Sequence, residues 1–158
     1  MSQLYMAQQV LDGLTGHDAG RYLLRQLWDA HVGGEMPEIS IADGGKPYFV
    51  DKKWHFSISH TKRHAFCVLS DAPVGIDAEE QDRNIDLRLA QKILSPQERL
   101  QWEAAEDKRL ALLTFWVLKE AAAKLSGEGL HGYPNHTDFS LTDPRVQPMG
   151  TCLVAVFQ

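Results

Sequence analysis

Two short segments of this chain carry groups that could act together on a phosphate. Residues 74–79 read Val-Gly-Ile-Asp-Ala-Glu, and residues 116–124 read Trp-Val-Leu-Lys-Glu-Ala-Ala-Ala-Lys. Side chains two apart on a strand share a face, so Asp77 and Glu79 can point at one cation. Side chains four apart on a helix lie one turn apart on one face, which pairs Glu120 with Lys124. If that helix packs beside that strand, three carboxylates and an ammonium converge. Three acids alone repel one another. A hard divalent cation such as Mg²⁺ removes the repulsion and binds phosphate oxygens at its remaining positions. The chemistry suggested is metal-assisted transfer of a phosphate-containing group. Taken singly, each segment also suits a solvated strand edge or an exposed ion-paired helix face.

A third segment narrows the choice. His55-Phe56-Ser57-Ile58-Ser59-His60-Thr61 alternates apolar and hydroxyl side chains, the pattern of a half-buried strand, and ends in three polar residues. Upstream, Gly44-Gly45-Lys46-Pro47 is a turn carrying one lysine.

The order Gly-Lys-Pro, Phe-Ser-Ile-Ser-His-Thr, Val-Gly-Ile-Asp-Ala-Glu, Trp-Val-Leu-Lys-Glu-Ala-Ala-Ala-Lys and Gly-Glu-Gly-Leu resembles the 4′-phosphopantetheinyl transferase superfamily. It is most similar to the surfactin-synthetase-activating type, a single-chain pseudodimer. The match runs from about Asp18 to Leu130. The resemblance implies an α+β fold of two similar halves with the active site between them, 1–73 and 74–158, divided near Asp71–Pro73. It implies that coenzyme A is the donor, with its pyrophosphate on Mg²⁺, and that the acceptor is a serine of an acyl or peptidyl carrier protein. Asp77, Glu79 and Glu120 then match the metal ligands, and Glu120 also the general base. Lys124 matches the lysine that meets the leaving phosphate, and Lys119 becomes a second phosphate contact. Ser59 and His60 match contacts to the nucleotide phosphates, while Lys46 and Arg21 hold the nucleotide end. Before the first helix the family usually carries a longer segment with basic residues. Here Leu11–Gly16 holds no Lys or Arg, so either nucleotide affinity is lower or Arg21, Arg25 and Lys46 carry the grip.

The elements that must position these groups follow from patterning. Leu4–Val10 reads as a strand. His17–His31 carries a helical apolar stripe through Ala19, Tyr22, Leu23, Leu27 and Ala30 and ends at Gly33-Gly34. Strands are expected at 38–42, 55–59, 65–70 and 74–79. Helices are expected at 86–94, from Ser95-Pro96-Gln97-Glu98 to about 105, and over 108–125. The Ser-Pro-x-Glu start has Ser as the cap, Pro at the first helical position and Glu three after the cap. Phe139–Leu141 and Thr151–Phe157 are expected to close the chain as strands. Strands joined by short turns, with helices grouped rather than alternating, indicate an α+β class.

Composition bounds the function. The chain has 158 residues and a formal charge of −5, which argues against nucleic acid as the main partner. Residues 1–73 carry seven Lys/Arg against eight Asp/Glu, and residues 74–158 nine against thirteen. The less acidic first part contains Lys52, Lys53, Lys62 and Arg63, which read as ordinary solvated charge. No apolar run approaches the ~20 residues of a spanning helix, so no membrane role is expected. Met-Ser-Gln-Leu-Tyr-Met lacks the character of a signal peptide, giving a cytoplasmic expectation. Cys67 and Cys152, the two cysteines, sit in apolar runs without metal-ligand spacing, so both are expected as buried thiols. If both halves are present, one chain completes the site and a monomer suffices. Two other classes fit the same residues: a weakly catalytic binder of coenzyme A or a carrier protein, and a Mg²⁺-dependent phosphohydrolase.

Overall fold

The computed structural model describes residues 2–127 and 137–158. The expected Gly-Glu-Gly-Leu stop keeps only Gly127 within them; Glu128, Gly129 and Leu130 lie outside the described residues. Strand β1, Leu4–Val10, leads to helix α1, Gly16–His31. Thr15 caps α1 by accepting the Asp18 N–H. Strands β2, Ile39–Ile41, and β3, Pro47–Phe49, form a hairpin over the Gly44-Gly45 turn. Strands β4, His55–His60, and β5, His64–Ser70, complete an antiparallel sheet in the order β1-β5-β4, with α1 on one face.

Strand β6, Gly75–Glu80, starts the second sheet. A 3-10 turn at Leu87–Leu89 and the four-residue α2, Ala90–Ile93, stand where a longer helix is expected. Helix α3, Pro96–Ala104, begins with a complete capping box between Ser95 and Glu98. Helix α4, Lys108–Ser126, ends at Gly127, whose φ of +76° is the left-handed stop that glycine adopts freely. Strands β7, Val146–Met149, and β8, Cys152–Phe157, give the sheet order β6-β8-β7, again antiparallel. The expected strand at Phe139–Leu141 is absent: Glu98 accepts the Phe139 N–H and Gln101 the Leu141 N–H. Side chains of α3 thus satisfy this backbone, and no neighbouring strand is needed.

Alternation along β5 ties the two sheets together. Ala65, Cys67 and Leu69 face α1, while Phe66 and Val68 pack with Val74, Ile76, Ala78, Cys152 and Val154. A strand buried on both faces has no polar side, which is why β5 is apolar from Ala65 to Leu69. Among the described residues, no helix is long and apolar enough to cross a membrane.

Candidate active site

The position of α4 against β6 is set by one residue. Gly75 has no Cβ; one placed there would lie 2.2 Å from the Ala121 carbonyl oxygen and 2.5 Å from the Leu125 nitrogen. Asp77 and Glu79 follow Gly75 on the same strand face, and Glu120 and Lys124 lie in the part of α4 that this approach brings in. The strand and helix therefore meet, which is the condition for these side chains to converge.

Asp77 is the buried centre, 7% exposed. Its Oδ1 accepts from Lys124 Nζ at 3.2 Å and from the Ser59 hydroxyl at 3.4 Å, and its Oδ2 is buried with no partner. Burial pushes its pKa up to about 7; the Lys124 ammonium opposes this, and the Glu79 and Glu120 charges add to it. Glu120 is also raised, by burial first and then by Glu79, against Lys124 and Arg83. It lines a cleft with Gly44, Lys46, Ser57, Lys124 and Gly127. An orphaned carboxylate oxygen beside two further acids is a set that a hard divalent cation satisfies. Asp77 supplies that unpartnered oxygen and Glu120 lines the cleft. Glu79 is engaged elsewhere: Arg83 Nη1 bonds its Oε1 at 2.5 Å, and the same guanidinium lies over Trp116. Consistent with this, the acidic three are not mutually within 4.8 Å; among the described residues that condition is met by His64, Glu80 and Cys152.

Lysine 46 reaches across the molecule. Its Nζ donates to Lys124 O at 2.5 Å and Val74 O at 2.9 Å, linking the β2–β3 turn to the end of α4 and the start of β6. Burial, and then the Lys124 charge, lower its pKa to about 8. His60 is exposed, its ring resting on the α1 start where a Cβ on Gly16 would come within 2.2 Å. Arg21, half-buried on α1, is not among the residues lining the cleft with Lys46 and Glu120.

Two expected contacts take other roles. Lys119 is 1% exposed and pairs with Glu98 Oε1 at 2.8 Å, inside the α3–α4 core and beside the Phe139 ring. Its charge is consumed by a buried carboxylate, which corrects its expected place on a phosphate. Ser59 is 4% exposed; its hydroxyl accepts the Ala78 N–H at 3.0 Å and donates to Asp77. It therefore orients the central carboxylate from behind, which corrects the expected nucleotide contact. Ser57 likewise accepts the Ile76 N–H at 3.1 Å.

Sequence reasoning missed Arg83 and Glu80. Arg83 has no motif to announce it, because its contact with Glu79 is made by a turn after the strand. Glu80 is adjacent to Glu79 but faces the other side of β6. Buried there, it bonds Arg63, His64, Thr61, Thr151 and Cys152. Burial alone would raise its pKa, but these hydrogen bonds outweigh it and hold the carboxyl well below the usual range.

The family model of the 4′-phosphopantetheinyl transferase superfamily matches residues 73–152, the stretch that holds β6, α4 and the acidic cluster. The chain is 33% identical over 123 residues to the 4′-phosphopantetheinyl transferase psf-1 of Bacillus pumilus, covering 72% of this chain and 52% of that protein. It is 36% identical over 89 residues to the 4′-phosphopantetheinyl transferase gsp of Aneurinibacillus migulanus, covering 55% and 37%. With the 4′-phosphopantetheinyl transferase HetI of Nostoc it shares 30% over 122 residues, covering 71% and 52%. The chain spans about half the length, or less, of these curated relatives. By this family match, the chain belongs to the 4′-phosphopantetheinyl transferase superfamily.

Proposed function

We propose that this chain transfers the 4′-phosphopantetheine group of coenzyme A to a serine of an acyl or peptidyl carrier protein, releasing adenosine 3′,5′-bisphosphate. The observation that carries this reading is Asp77: a buried carboxylate with one oxygen unpartnered, bonded to Lys124 and coupled to Glu79 and Glu120. Asp77 and Glu120, with Glu79 once released from Arg83, would hold Mg²⁺, which when bound would neutralise charge on the phosphates.

The protein's own groups do the rest. The incoming serine oxygen forms a bond to the β-phosphorus of coenzyme A while the bond from that phosphorus to the oxygen bridging it to the nucleotide's α-phosphate breaks. A serine hydroxyl is a poor nucleophile until its proton leaves. Glu120, with its raised pKa, lines the cleft and takes that proton. Lys124 uses two N–H groups on Asp77 and Ile58 O, so its third donor is left for a phosphate oxygen of the leaving group. Lys46, Arg21 and His60 form the nucleotide side.

The chain works as a pseudodimer of halves 1–73 and 74–158, and a monomer is sufficient. Supporting this, apart from the β2–β3 hairpin in the first half and the shorter helices before α4 in the second, each half runs strand, helix, strand, strand, and in each three-stranded sheet the last strand lies between the other two. The site of action is the cytoplasm, and nucleic acid and membranes are not partners.

A panel of apo carrier proteins incubated with coenzyme A and Mg²⁺, read by intact-protein mass spectrometry, tests the reading. A phosphopantetheine adduct on serine is expected. Coenzyme A cleaved without an adduct would mean a hydrolase, and binding without turnover a regulator.

A further inference from the structure

The far face of β6 carries a second cluster of ligating groups. His64 Nδ1 lies 2.9 Å from Glu80 Oε2, Cys152 Sγ lies 2.9 Å from the same oxygen, and Sγ lies 3.5 Å from Nδ1. These residues come from β5, β6 and β8, and their side-chain atoms form one small triangle. We propose that His64, Glu80 and Cys152 form a cation site for a thiophilic divalent ion such as Zn²⁺, separate from the acidic cleft.

The donor set is the first reason. One imidazole, one thiolate and one carboxylate are the ligand types that Zn²⁺ takes, at roughly 2.0–2.3 Å each. Three atoms about 3 Å apart enclose a point near that distance from all of them, so little movement is required. The outer shell is the second reason. Glu80 Oε1 is held by Arg63 Nε and Nη2 and by the Thr151 hydroxyl, which fixes the carboxylate and presents Oε2 to the ion. The Thr61 hydroxyl, which also reaches Oε2, yields or becomes a further ligand. Access is the third. The His64 side chain is 24% exposed, and a groove lined by Thr61, Lys62, Arg63 and Glu80 opens beside the cluster. Glu80 is common to the groove and the cluster.

Burial and the Glu80 carboxylate push the Cys152 thiol up to about 12, so without an ion Sγ keeps its proton. Binding exchanges that proton for the ion: the S–H bond breaks, a metal–sulfur bond forms and one proton goes to solvent. No oxidant or reductant is involved. An ion here ties the β4–β5 turn to the start of β8 across β6.

The test is Co²⁺ titration of the full chain in excess Mg²⁺, which occupies the acidic cleft. One equivalent should give a near-ultraviolet thiolate-to-cobalt band that Zn²⁺ displaces. The band should vanish in Cys152→Ser and persist in Cys67→Ser, since Cys67 is buried in the α1 core. X-ray absorption of the Zn²⁺-loaded parent, which needs no variant, should show one sulfur in the first shell. No band, a band surviving Cys152→Ser, or a shell of oxygen and nitrogen alone would overturn the proposal and leave the cluster as a hydrogen-bonded lock. The readouts are spectroscopic, so failure here is distinct from failure of the transferase reading.

Discussion

Gly75 and Ala121 approach so closely that a single methyl group at Gly75 would lie 2.2 Å from the Ala121 carbonyl oxygen. The obstacle is helix backbone, which cannot rotate aside as a side chain could. Gly75→Ala must therefore push α4 away from β6 and separate Glu120 from Asp77. Overpacking of this kind costs about 1–3 kcal/mol, and transfer should fall more than stability does. Urea unfolding together with steady-state kinetics checks this; parental values in both would show that the contact does not position the helix.

Glu120→Gln keeps shape but removes basicity. A fall in kcat of about 10²–10⁴ is expected, the usual worth of a positioned acid–base group, with coenzyme A still binding. Lys124→Ala should also lower kcat, and the double variant should lose less than the product of the two factors, because both groups serve one transition state. Simple multiplicativity would assign them to separate steps.

Asp77 connects metal and pH. Its folded pKa of about 7 is above the ordinary 3.8, so folding favours the protonated form. That stabilising contribution is complete below about pH 3.8 and is lost as pH rises through 7. In chelator, Asp77→Asn should unfold at higher urea than the parent at pH 8, with the advantage fading towards pH 4, and it should not catalyse transfer. Added Mg²⁺ should narrow the gap by stabilising the parent. Identical pH profiles for the two proteins would count against a buried charge at this position.

The ion pair of Lys119 and Glu98 gives a prediction of the opposite kind. Removing one partner of a buried pair leaves the other charge uncompensated, at a cost of about 3–5 kcal/mol. Lys119→Ala should show that loss in urea unfolding, while KM for coenzyme A in the surviving folded protein should hardly move. A large KM change at little cost in stability would restore Lys119 to the phosphates.

Much of the fold was legible because its signals are local. Alternation marked β4 and β6, a continuous apolar run marked β5, the Ser95–Glu98 capping box marked α3, and the spacing of Glu120 and Lys124 placed both on one face of α4. What escaped was set by tertiary partners. Strands β3 and β7 contain Pro47 and Pro148, which hide a short strand pattern. Phe139 reads as strand yet has its backbone held by Glu98. The candidate site followed the same division. Asp77, Glu79, Glu120 and Lys124 announced themselves by spacing. That Lys119 turns inward while its neighbour Glu120 lines the cleft depends on Glu98, twenty-one positions away and invisible to any local pattern.

The serine hydroxyls of β4 have a consequence in the time domain. Among the described residues β6 pairs with β8 on one side only, and Ser57 and Ser59 take up the Ile76 and Ala78 amides on the other. These two protons belong to no backbone ladder, yet their acceptors are buried. In deuterium oxide they should exchange as slowly as ladder amides, released only when the two sheets part. The solvent clock of this seam is thus kept by two side chains. Ser57→Ala or Ser59→Ala would each quicken one amide, and so report directly how often β6 comes away from β4.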